Sequence, residues 1–271
     1  MVLLIRAELH KIVRHKWVPL FSVSCALVYV LMTWNDYRWN DGSAWERMIL
    51  FPYSSGSVFE GLMMLLALPV CFTQEYQLKT DALLLSSKLG RNQAIVAKIT
   101  ASIVFITVFV FGCWTLNAAA NIGFAGWGGW DWPIQRLPRH ESSPHTLVVW
   151  QYVLVQAVTN WLGCIVFGLF VLFLSARSGS YLVVFFIAGV VFVLPFFIHN
   201  TSDVSLPWLM KNLPMTDFMR AVNILNRHRF VNIGNQTIQL PVIIFYSYMI
   251  LLAAILAVAV YRCFKNQESK G

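Results

Sequence analysis

Charge is what this 271-residue chain has least of: Asp, Glu, Lys and Arg together make up 12% of it. A soluble domain carries about 25%. With 58% apolar residues and a mean hydropathy of +0.64, the chain holds more apolar sequence than a packed core uses, and a lipid-facing surface takes up the rest. A phosphate-binding GxxxxGK[ST] loop is also lacking, since Lys88-Leu89-Gly90 has the wrong order for one. Without it the chain is not expected to hydrolyse a nucleotide by itself, and it is expected to bind no cofactor and no metal. Cysteine is sparse. Cys25, Cys71, Cys113, Cys164 and Cys263 sit in apolar runs or at their ends, none in a CxxC, which reads as buried free thiols rather than a disulfide framework or a zinc site. The first apolar stretch is interrupted by Arg6, Lys11, Arg14 and Lys16 and is followed by no small-residue cleavage site, so it does not read as a removable signal.

Two short stretches resemble catalytic motifs and fail on spacing. His140-Glu141-Ser142-Ser143-Pro144-His145 places the second His five residues on, with Pro144 between, so the rings do not share a helix face as a zinc protease requires. Ser178-Gly179-Ser180 reads as a tight turn rather than a nucleophile elbow.

What is present is a set of apolar runs separated by short polar connections. They predict an all-α integral membrane protein, one domain over 1–271 with about six spans, at 17–34, 57–73, 95–120, 147–174, 181–198 and 241–261. Residues 1–16 read as an amphipathic interface helix, with Ile5, Leu9, Ile12 and Val13 on one face and Arg6, His10 and Arg14 on another. Residues 35–56 and 121–146 read as outer loops, and 199–240 as a long outer segment. Twelve of the 20 Lys and Arg residues fall in the shorter connections. That places both termini in the cytoplasm. The net charge of +8 is therefore expected against the inner leaflet rather than against nucleic acid.

Glu60 is the ionisable residue that falls near or within a span, about 15 residues before Glu75, or roughly 22 Å along a helix. Such a residue marks a functional site, here a candidate translocation path. The alternative is a place at the outer interface beside Ser54, Ser55 and Ser57.

The connection after the second span carries the most specific pattern: Glu75, Lys79-Thr80-Asp81, Leu83-Leu84-Leu85-Ser86-Ser87-Lys88, Arg91, then Lys98 opening the next span. It resembles the cytoplasmic segment of ABC-2 type transporter permeases, with Lys79 in place of the usual Gly and Ser87 where Pro is common. The basic N-terminal helix and the six-span plan are similar too. The resemblance implies a permease subunit in a bacterial plasma membrane, most simply an exporter, paired with a second permease copy or paralogue. Separate ATP-binding subunits, carrying ATP and Mg, would drive it. Residues 75–91 would be the coupling helix, with Glu75, Thr80, Asp81, Leu84, Lys88 and Arg91 meeting the ATPase. Two other readings stand beside this one: a membrane scaffold or sensor linked to the same kind of ATPase, and a membrane-embedded enzyme.

Overall fold

The computed structural model describes residues 1–39, 42–78, 90–137, 141, 146–197, 219–220, 229–233, 236–240 and 242–266. Helix α1 (Val2–Arg14) packs on the bundle through Ile5, Glu8, Leu9 and Ile12, which repeat at three- and four-residue spacing, while Arg6, His10 and Arg14 face outward. The inward stripe differs from the expected one at two positions: Val13 is exposed, and Glu8 lies within the packed face. Helix α2 (Trp17–Trp39) is apolar around its circumference and leaves Val23, Leu27 and Leu31 outward. A helix apolar on all sides belongs in hydrocarbon. Its hydroxyls return to its own carbonyls, Ser22 to Val18 and Thr33 to Tyr29, so neither is left unpaired there.

Residues 44–56, expected within an outer loop, fold instead as helix. In α3 (Ala44–Leu50) Ala44, Trp45, Met48 and Ile49 form a buried stripe, and the Ser43 hydroxyl accepts the Glu46 N–H at the N-terminus. The charges of Glu46 and Arg47 disguise that stripe in the sequence. A π-helical turn (Pro52–Gly56) leads into α4 (Ser57–Ala67), and α5 (Val70–Leu78) follows a break at Pro69. Proline supplies no N–H and cannot continue the ladder. The break is closed by side chains: Ser175 Oγ donates to the Pro69 carbonyl at 2.6 Å and accepts the Phe72 N–H, and Thr73 Oγ1 donates to the same carbonyl at 2.7 Å.

Helix α6 (Gly90–Ala125) has 36 residues, about 54 Å of helix. Helix α7 (Val149–Arg177) is the centre of the bundle, buried along most of its length and packed by α3, α4, α5, α6, α8 (Tyr181–Phe197) and α9 (Val242–Asn266). Small residues allow close approach. A Cβ on Gly61 of α4 would lie 2.3 Å from the Phe192 ring of α8, and one on Gly168 of α7 would lie 2.4 Å from Ile106 of α6.

Among the described residues, five segments are long and apolar enough to cross a membrane: Trp17–Trp39, Ala44–Glu75, Asn92–Ala125, Val149–Arg177 and Ile243–Lys265. The expected span at 181–198 corresponds to α8, whose 17 described residues reach about 25 Å, short of a ~30 Å hydrocarbon core. The chain is also not purely helical. Strands β1 (Arg229–Ile233) and β2 (Gln236–Leu240) form an antiparallel hairpin, with register from Arg229↔Leu240 to Ile233↔Gln236, inside the segment expected to be a long outer connection.

The connection after α6 turns through Gly126 and Gly129, both at positive φ, where glycine is at ease. It returns over the end of the bundle, with Ile134 fully buried and its N–H on the Leu147 carbonyl. Trp45 Nε1 donates to the Trp127 carbonyl, tying α3 to this loop.

Candidate functional site

Two polar assemblies stand inside the apolar bundle, one at the end carrying α1 and one farther along α4 and α7. The first consists of Glu8, Lys11, Glu75 and Lys98. Glu75 ends the second long apolar segment, and Lys98 lies in the opening turns of α6. Lys98 Nζ sits 2.6 Å from Glu75 Oε1, donates to Glu8 Oε2 at 3.0 Å and donates to the Cys71 carbonyl at 2.8 Å. An ammonium has three N–H groups, and here each has an acceptor. The Lys98 side chain is 2% exposed and that of Glu75 8%. Lys11 closes the arrangement from the rim, 2.8 Å from Glu8 and 3.8 Å from Glu75. Two carboxylates and two ammonium groups leave no net charge, the condition under which buried ions are tolerated. Burial alone pushes the Glu8 carboxyl upward; Lys98 and Lys11 outweigh it and hold that carboxyl below the usual carboxylate value. His15, beyond the end of α1, is pushed down by burial and by Lys16.

The four charges come from three separate stretches of chain, α1, α5 and α6. They therefore fasten the amphipathic helix to both ends of the connection whose pattern drew attention in the sequence. Within that connection Thr80, Asp81, Leu84 and Lys88 lie outside the described residues, and Arg91 is placed in the first turn of α6. The structure brings Glu75 together with Glu8, Lys11 and Lys98. Glu8 and Lys11 had not been singled out, although a carboxylate at helical spacing with Ile5 and Ile12 marks the inward stripe.

The second assembly is built around Glu60, which is fully buried in α4. Asn160 of α7 donates one N–H to Glu60 Oε2 at 2.6 Å and the other to the Met219 carbonyl at 2.7 Å, and accepts the Trp114 indole N–H at 2.8 Å. Cys164 Sγ, one turn further along α7, donates to the same Glu60 oxygen at 3.4 Å. Glu60 Oε1 has no hydrogen-bond partner among the described residues, and neither has the buried Ser57 Oγ one turn earlier. Glu60 thus lies in the protein interior rather than beside the exposed hydroxyl of Ser54. Asn160, Cys164 and Met219 escaped sequence reasoning. An Asn inside a long apolar run is the signal that would have found the first of them.

A third network is hydrogen-bonded throughout and ties α2, α3 and α6 together. Tyr29 donates to Asn117 Oδ1 at 2.6 Å, Asn121 Nδ2 donates to Tyr29 and Asn117, and Asn117 Nδ2 donates to the Met48 carbonyl. Such pairing keeps polar side chains compatible with an apolar surround. Among the described residues, no three His, Cys, Asp or Glu side chains come together as metal ligands. Of the His140–His145 motif, only Glu141 is described, and it is exposed.

These features define a helical, multi-pass membrane protein with two charged or ionisable assemblies enclosed in its bundle. No protein-family model matches the chain, and no curated protein matches it in sequence.

Proposed function

We propose that this chain is the membrane-spanning permease subunit of an ABC transporter, working as an exporter. ATP hydrolysis on a separate subunit, docked at residues 75–91 on the cytoplasmic side, would drive it. One observation carries the reading: Glu75 and Lys98, which bracket the permease-like connection, are in direct contact, and Lys98 also pairs with Glu8 of the interface helix. A force applied to that connection reaches α5, α6 and α1 together, because the charges between them are desolvated and break only at high cost. In this reading the connection is a handle on the bundle. ATP binding on the partner shifts the bundle between two states by its differential affinity for them. The chain itself catalyses nothing, both termini are cytoplasmic, a second permease copy completes the pathway, and Glu60 belongs to that pathway. The membrane is a bacterial plasma membrane.

Affinity purification from the native membrane tests the proposal. A distinct ATP-binding chain is expected at equal stoichiometry, with ATPase activity that depends on this subunit. Purification of the chain alone, active on a lipid or a peptide, would replace the proposal with an enzyme.

A further inference from the structure

Helices α2 and α6 leave a gap between them near the middle of their spans. The gap is an apolar cavity of about 280 Å³, just under the ~300–1,000 Å³ of pockets that hold drug-sized ligands. Its floor is firmly packed: Phe51 is 3% exposed, and its ring meets those of Tyr29 and Trp114 in T-shaped contacts at 5.3 and 5.6 Å. Its rim includes Val108, which is 68% exposed and lies at the centre of the Asn92–Ala125 segment. The mouth therefore opens sideways, at a depth where the surround is hydrocarbon rather than water.

Small residues usually bring membrane helices together. Here Ala26 of α2 and Gly112 of α6 line the gap instead, and a Cβ on Gly112 would meet nothing within 4 Å. The polar groups of the wall are already committed. Ser22 donates to the Val18 carbonyl, and the Tyr29 hydroxyl donates to Asn117 and accepts from Asn121. Cys25 and Cys113 add thiols, which behave as small apolar groups. Water needs about two to four polar partners to stay in a cavity, and a wall so spent does not supply them. A helix of a second copy, about 10 Å across, is too thick to enter. What fits the volume, the chemistry and the depth is a single hydrocarbon chain. We propose that the cavity is a lipid site, taking one acyl chain of a bilayer phospholipid through the side of the bundle between α2 and α6. The bound chain gives α2 a packing partner on a span of which only 22% is buried in the protein. Such a site exists whether or not an ATP-binding subunit docks on the chain.

Photo-cross-linking of the full chain in lipid bilayers tests it, with a phospholipid that carries a diazirine midway along one acyl chain. Adducts mapped by mass spectrometry are expected to be several-fold more abundant at Cys25 and Cys113 of the wall than at Ile250 and Leu251, whose exposed side chains on α9 report ordinary lipid contact. Gly112→Leu, which fills the cavity, is expected to abolish that excess and to leave the α9 adducts unchanged. Should Gly112→Leu not fold, Val108→Trp obstructs the mouth from its exposed side and is expected to have the same effect. Equal labelling of the wall and α9 overturns the proposal, and so does an excess that survives in the filled or obstructed variant. No adduct at the wall, the outcome if a second copy covers the gap, overturns it as well.

Discussion

Lys98 of α6 and Glu75 of α5 meet at 2.6 Å, with the Lys98 side chain only 2% exposed, so the two helices are joined by an ion pair almost without water. Removing one member of such a pair costs far more than the pair itself contributes, because the other is left charged and buried. Lys98→Met therefore strands Glu75 and Glu8 together and is expected to destabilise the protein by about 3–5 kcal/mol. Thermal unfolding in detergent measures it. The double replacement Lys98→Met with Glu75→Gln restores neutrality and is expected to recover a large part of the loss.

The docking of α1 is expected to be pH-dependent through Glu8. Its carboxyl is held below the usual value in the folded protein, with Lys98 and Lys11 overcoming the upward push of burial. The sign follows: the unfolded chain takes up this proton at higher pH than the folded one. The stabilisation is complete above the ordinary glutamate pKa of about 4.3 and is lost as pH falls through the lower folded value. Wild type and Glu8→Gln, compared by thermal unfolding across an acid titration, are expected to differ at neutral pH and to converge in acid. A constant difference throughout would count against this role for Glu8.

Helix α4 approaches α8 so closely that only glycine fits at residue 61. The Cβ of Gly61→Ala would lie 2.3 Å from Phe192. Forcing atoms into a packed interface of this kind costs about 1–3 kcal/mol. A lowered melting temperature for Gly61→Ala, restored in part by Phe192→Leu, is the expected result. At Gly112 a Cβ meets nothing within 4 Å, so Gly112→Ala serves as a control and is expected to leave the melting temperature unchanged or raise it.

How far the fold could be read from sequence depended on how each segment is packed. Long apolar runs such as 17–34 and 147–174 announce themselves because every face is apolar, whether it meets lipid, as in α2, or protein, as in α7. Segment 44–56 was misread because its helix is short, interrupted by Pro52, and carries Glu46 and Arg47 beside the stripe it buries. The hairpin at Arg229–Leu240 escaped notice for a different reason: its ten paired residues lie in a stretch with no sustained alternation of apolar and polar side chains. Glu60 and Glu75 stood out because a lone carboxylate near an apolar run is conspicuous. Their partners did not, since Asn160 and Lys11 are unremarkable until tertiary structure brings them against Glu60 and Glu75 from 100 and 64 residues away. Local pattern locates an ion that needs neutralising and says nothing of which distant residue does it.

The permease reading makes its sharpest demand where Glu75 and Arg91 differ. Both match the permease-like pattern, yet Glu75 is buried against Lys98, whereas Arg91 lies in the first turn of the next helix. If residues 75–91 dock an ATP-binding subunit, either replacement uncouples ATP hydrolysis from transport, but by different routes. Arg91→Ala acts at the contact and is expected to weaken co-purification of the ATP-binding chain with no change in melting temperature. Glu75→Gln removes the lever beneath the contact: the partner stays bound, ATP is still hydrolysed, transport falls, and the melting temperature drops as Lys98 loses its nearest carboxylate. Reconstitution of both variants in vesicles, with ATPase rate, transport and melting measured on the same preparations, separates the two effects. Unchanged transport in both would remove the coupling role from this connection, whatever the chain binds.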